Sequence, residues 1–264
     1  MKTVWFTLFK KELRLGWMAF VIFLILQLLL MALGVFLNFR YGDDGNVAPM
    51  VIGVMLTILL LFYVPVYLLF TVIQERKTFH IWMQNPLPGW SMLLAKLSGA
   101  LVYFIGTTAI VGTYTWVSLM RITEMPQELS LFRITMLAVL ILIWSGIGGG
   151  ITFLFLWMVQ RTMRSRIGKW AWIVLIVGIV VYSIIDGKFI ESGAFAFLTD
   201  WGPIQNVSVL HFVMPDGAPT TLSTDFATAD PIGLTVGDIV LDLVKTVIMF
   251  ILAAWLTDHK LEAS

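Results

Sequence analysis

The stretch "WMAFVIFLILQLLLMALGVFL", Trp17–Leu37, runs for 21 residues without a single charge. At about 1.5 Å of rise per helical residue it matches a bilayer core of about 30 Å. Lipid offers the backbone no hydrogen-bond partner, so a lone crossing segment of this kind must be a helix. Comparable runs recur near residues 50–73, 92–120, 131–159, 170–185 and 237–257. The predicted fold is therefore an all-α membrane protein with six transmembrane helices. The third and fourth runs exceed the bilayer and should tilt or protrude. The fifth is short, with an outer end that dips or continues past Asp186.

Composition agrees: 59% of residues are hydrophobic and 12% charged, against roughly 45–50% and 25% in soluble domains. Cysteine is absent, which excludes disulfides, thiolate metal sites and cysteine nucleophiles. The first apolar run is longer than the core of a cleavable leader, about 7–15 residues, and is expected to stay as a span.

Six spans place both termini on one side. With them fall Lys2, Lys10, Lys11, Arg14, Arg76, Lys77, Lys96, Arg161, Arg164, Arg166, Lys169 and Lys260, twelve of the 17 basic residues. Arg40, Arg121, Arg133, Lys188 and Lys245 fall opposite. Lys and Arg resist translocation, so both termini are expected in the cytoplasm. No internal repeat or soluble domain interrupts the chain, and residues 1–264 read as a single transmembrane domain.

Residues 1–16 contain "KTVWFTLFKKELRLG". On a helical wheel Trp5, Phe6, Phe9 and Leu13 share a face opposed to Lys10, Lys11 and Arg14. Such a segment reads as a basic amphipathic elbow helix in the headgroup plane, its aromatics at the acyl boundary. The plainer alternative is a topological anchor ahead of the first span.

The cytoplasmic loop 74–91 lies within "QERKTFHIWMQNPLPGWSMLLAK", residues 74–96. As a helix over 75–84 it gathers Arg76, Lys77, His80 and Gln84 in one quadrant, with Phe79 and Trp82 among its apolar residues. "NPLPG" then ends it, because proline lacks a donor and restricts its predecessor. An ordinary polar loop with interfacial aromatics is the alternative.

Together, "FKKELR", the six spans and this loop leading into "LLAKLSGAL" resemble the permease subunit of ABC-2 type ABC transporters. The resemblance covers most of the chain in layout but only residues 5–14 and 74–100 in sequence. It implies that residues 75–84 are a coupling helix between spans 2 and 3, with Glu75, Arg76, Lys77, Phe79, His80 and Trp82 touching an ATPase subunit. It also implies two copies of that ATPase carrying ATP and Mg, and a second permease subunit, the same or homologous. The setting would be a bacterial plasma membrane. Export would proceed by alternating access, with amphipathic or antimicrobial-type peptides or hydrophobic drugs as cargo.

This chain itself carries no catalytic, cofactor or metal signature. A phosphate-binding loop needs G-x-x-x-x-G-K-[ST], whereas "GIGGG" at 146–150 lacks the lysine and lies in a span. Gly146 and Gly150 read as a small-x-x-x-small packing pair. The three histidines lack zinc-site spacing. No enzymatic activity is expected here, nor any nucleic-acid partner. Asp242 and Lys245, spaced i, i+3 in the last run, can pair, and with Gln27 they are candidates for a translocation path. Pro65 is a candidate kink. The outer segment 186–236 is acidic, although "PDGAP" and "ADPIG" read as turns. Competing readings are an ATP-independent secondary transporter or channel, a membrane enzyme, and a non-transporting assembly protein.

Overall fold

The structure, a computed structural model, describes residues 2–41, 47–74, 88–121, 131–191 and 236–260. Among these residues every regular element is helical: α1 (Lys2–Tyr41), α2 (Val47–Leu60), α3 (Tyr63–Gln74), α4 (Gly89–Met120), α5 (Leu131–Ile167), α6 (Ala171–Glu191) and α7 (Val236–Lys260), with a short 3-10 turn at Gly168–Trp170. Five helices are long and apolar enough to cross a membrane, and α2 with α3 makes a sixth crossing if that bent pair is one span. The chain is a multi-pass membrane protein.

The break in the second span follows from Pro65. A proline ring clashes with the carbonyl four residues back and leaves it without a donor; here that carbonyl belongs to Leu61. The helix tightens just before it, with Leu61 N bonding Ile58 O and Phe62 N bonding Leu59 O, both at 3.1 Å. Regular bonding resumes with Val66 N on Phe62 O. The two halves differ in direction by 55°.

Two boundaries differ from the sequence reading. The amphipathic segment 1–16 is no separate elbow: α1 continues unbroken for 40 residues, roughly 60 Å. Nothing between residues 12 and 17 stops it, because Gly16, the one weak helix former there, is held by packing. The basic stretch 160–169 is also helix up to Ile167. There Gln160 is buried, and the Arg161 guanidinium lies 5.9 Å from the Trp157 ring centre one turn back. This helix ends at Gly168, whose φ of +64° is the left-handed cap conformation that glycine supplies without strain. Past Asp186, α6 continues as helix to Glu191.

The chain divides into two compact units, residues 1–168 with 249–264, and residues 169–248. In the first, α1 and α4 lie side by side in parallel: Trp5 bonds Ser91 near their starts, and Tyr114 bonds Met31 towards their ends. The pair α2–α3 runs antiparallel to α4, with Thr57 facing Thr115 and Tyr63 facing Phe104. Apolar surface gains little by leaving lipid for protein, so close backbone approach has to hold such helices together. Glycines provide it. A Cβ on Gly146 would stand 3.0 Å from the Phe104 ring, and one on Gly150 would stand 2.7 Å from Leu97 and 2.8 Å from Val64. Around them Val64, Leu68, Leu93, Phe104, Val111 and Met158 are fully buried. In the second unit, Lys245 Nζ of α7 bonds Asp186 Oδ1 of α6 at 2.6 Å.

Candidate functional site

The buried face of α1 is set by Leu8, Glu12, Gly16 and Ala19, which recur at helical spacing. This is not the aromatic face of the wheel. Phe6 is 60% exposed, Trp5 and Phe9 are half-buried and stacked at 5.6 Å, and Lys10, Lys11 and Arg14 face outwards. A carboxylate therefore enters the bundle where the wheel puts no special residue. It meets a lysine from α4: Lys96 Nζ donates to Glu12 Oε2 at 2.8 Å, with 1% and 3% of the two side chains exposed.

Glu12 and Lys96 escaped notice because each hides in a familiar context. Glu12 is one charge in "FKKELR", and Lys96 is one of twelve basic residues assigned to a side. A sequence signal exists nonetheless. Glu12 has Leu8 and Gly16 four residues either way, and Lys96 has Met92 and Ala100, so each charge sits on an apolar or small-residue helix face. A charge so placed faces the bundle interior.

A tyrosine cluster extends from the pair. The Tyr103 hydroxyl of α4 donates to Leu13 O of α1 at 2.7 Å. Its ring stacks on Phe20 at 4.7 Å and lies 5.6 Å from Tyr67. Tyr67 stacks on Tyr63 at 6.2 Å and presses its hydroxyl onto Gly16, into the place that a Cβ would take. The Tyr67 hydroxyl has no hydrogen-bond partner among the described residues. Space for the tyrosine, rather than backbone freedom, is what requires glycine at 16.

Two further bonds complete a fastening at the start of α4. Trp5 Nε1 donates to Ser91 O at 3.2 Å. Asp258, near the end of α7, accepts the Gly89 amide on Oδ1 at 2.7 Å. Pro88 precedes the helix and offers no side-chain cap, so Asp258 caps it from a distant part of the chain. Its negative charge also suits the positive end of the helix dipole. We expect Asp258→Ala to cost about 1 kcal/mol and Asp258→Asn, which keeps an acceptor, less than half of that. Unfolding midpoints in mixed micelles would measure both, and equal losses would remove the capping role.

Glu75, Arg76, Lys77, Phe79, His80 and Trp82 lie outside the described residues, as does most of the segment 186–236. Gln27 is half-buried on α1, and its Oε1 has no partner among the described residues. Lys245 bonds Asp186, and Asp242 lies one turn earlier on α7 at an exposed position. Gln27 and Lys245 belong to different units. Among the described residues no cluster of three or more His, Asp or Glu could hold a metal ion.

What the Glu12–Lys96 cluster provides is mechanical. Ion pairing, capping and aromatic packing tie α1, α3, α4 and the end of α7 at one end of the first unit. No family model matches the chain, and no curated protein or solved structure matches it either.

Proposed function

We propose that this chain is the permease subunit of an ATP-driven exporter of the ABC-2 type. On this reading it has six spans with both termini in the cytoplasm of a bacterium. It works beside a second permease subunit, the same or homologous, above two ATPase subunits that hold ATP and Mg. Residues 75–84 form the coupling helix, and the cargo is an amphipathic peptide or a hydrophobic drug.

One observation carries the proposal. The chain leaves the 75–87 segment directly into a helix start fastened at three points, where Gly89, Ser91 and Lys96 are held by Asp258, Trp5 and Glu12. A helix is stiff along its axis, so force applied to residues 75–87 enters α4 and reaches α1 and α7 through those three links. A loop that merely joins two spans has no use for this anchorage. A force-transmitting one does.

The test uses the full chain, affinity-tagged and purified in mild detergent from its own membrane. Vanadate-sensitive ATP hydrolysis should copurify with it. A buried aromatic anchor at an interface is worth about 2 kcal/mol or more, so Phe79→Ala and Trp82→Ala should each reduce the recovered hydrolysis at least about tenfold. Arg40→Gln should leave it unchanged. No hydrolysis above background with the wild-type chain would overturn the proposal. A second reading, an ATP-independent transporter or channel, draws on the 55° break between α2 and α3, since broken helices are common in that class. It requires solute flux that persists when ATP is exhausted.

A further inference from the structure

Beside the Glu12–Lys96 cluster, on the outward side of α1, lies an open recess of about 420 Å³ lined by Lys10, Leu13, Arg14 and Trp17 of α1 and Tyr103 of α4. Its polarity is graded along the α1 axis. Lys10 and Arg14 are one helical turn apart and exposed, and neither has a carboxylate partner among the described residues. The acid nearest in sequence, Glu12, points the opposite way and is bound to Lys96. Lys10 and Arg14 precede the uncharged run that starts at Trp17 by about 10 Å and about 5 Å at helical rise. They therefore stand at the level where headgroups lie.

The inner part of the recess has different chemistry. Tyr103 spends its hydroxyl on Leu13 O, so it presents an aromatic face instead of a polar tip. Phe20 stacks on that ring, and Trp17 leans on Phe20 at 5.9 Å. Trp and Tyr favour this depth, where one edge meets headgroups and the other meets acyl chains. Beyond Phe20 only the apolar flank of α1 continues.

We propose that this recess binds one anionic phospholipid of the bilayer, with its phosphate between Lys10 and Arg14 and its upper acyl segment along Trp17, Phe20 and Tyr103. Arginine can grip a phosphate with two parallel hydrogen bonds, and lysine adds a mobile point charge. Basic pockets between transmembrane helices take acidic headgroups in this manner. The graded lining favours a lipid over a free phosphate, which would have no use for the aromatic wall. The site does not depend on the transport reading.

Purified full-length chain would be titrated with phosphatidylglycerol and phosphatidylcholine in micelles, and bound lipid counted by native mass spectrometry. Each basic residue near an anionic headgroup favours binding about fivefold, so the wild type should prefer phosphatidylglycerol about thirtyfold. Lys10→Gln with Arg14→Gln should bring that preference close to one. Arg40→Gln with Lys169→Gln removes the same charge elsewhere and should leave it intact; melting curves matching wild type would show that both variants are folded. Equal losses in the two double variants would mean diffuse attraction to a basic surface and would overturn the site. Displacement of the lipid by millimolar soluble glycerophosphate would show a free-phosphate site and overturn the lipid assignment.

Discussion

Lys96→Met alone should lower the unfolding free energy of the detergent-solubilised chain by about 3–5 kcal/mol. The Lys96 ammonium lies 2.8 Å from the Glu12 carboxylate, with almost none of either side chain exposed. Removing the cation leaves a carboxylate inside a bundle that offers it little water. Glu12→Gln should cost less, because an amide oxygen can still accept from Lys96, although the lysine then lacks a counter-charge. The informative variant is the double replacement Glu12→Leu with Lys96→Met. A buried pair exchanged as a unit for apolar residues of similar volume is often neutral or stabilising, so the double variant should recover most of the loss. Equilibrium unfolding in mixed SDS micelles, followed by tryptophan fluorescence, gives all three values. A midpoint for Lys96→Met equal to wild type would show that the pair is not buried as described.

The next largest effect is expected at Gly16. A Cβ there would collide with the Tyr67 hydroxyl oxygen and with the ring carbon bearing it. The ring has little room to swing aside, because Tyr67 is 2% exposed and lies between Tyr63 and Tyr103. Gly16→Ala, which slightly favours a helix on propensity grounds, should instead destabilise by about 2–3 kcal/mol through overpacking. Tyr67→Phe should be nearly neutral, since the hydroxyl it removes has no partner among the described residues. Combining them should relieve only part of the clash, as the ring carbon stays; Gly16→Ala with Tyr67→Leu should relieve more. A double-mutant cycle measures this coupling directly. Strict additivity between positions 16 and 67 would refute the contact.

Pattern reading recovers the helical architecture for a physical reason. Bilayer thickness fixes the length of each apolar run, and lipid leaves the backbone few alternatives. Pro65 marks its break because the absent donor and the ring act locally, wherever the rest of the chain goes. Gly146 and Gly150 announce close packing for the same reason. The ends of α1 and α5 were harder to read. Sequence shows where an apolar run stops, but α5 carries on through Gln160 and Arg161 because polar side chains at a membrane surface do not break a helix. The candidate site was harder still. A wheel drawn through residues 5–14 ranks faces by hydrophobicity, whereas the buried face of α1 is chosen by what α3 and α4 bring to it: the Lys96 ammonium needs an acid, and the Tyr67 ring needs a gap. Neither requirement is written in residues 5–14. Lys245 shows the same lesson on α7: its bond to Asp186 of α6 is not written in the spacing of Asp242 and Lys245.

The spacing of the fastened residues also bears on biogenesis. Glu12 and Lys96 are 84 positions apart, and Gly89 and Asp258 are 169 apart. At about 5–20 residues per second of synthesis, Glu12 leaves the ribosome roughly 4–17 s before Lys96 does. The capping aspartate of α4 arrives later still. Before that interval ends the first apolar run has been made, while the lysine that balances the Glu12 carboxylate is still being translated. Assembly of this cluster is thus timed by elongation: α1 cannot lock until α4 has been made, and α4 is capped only when α7 emerges.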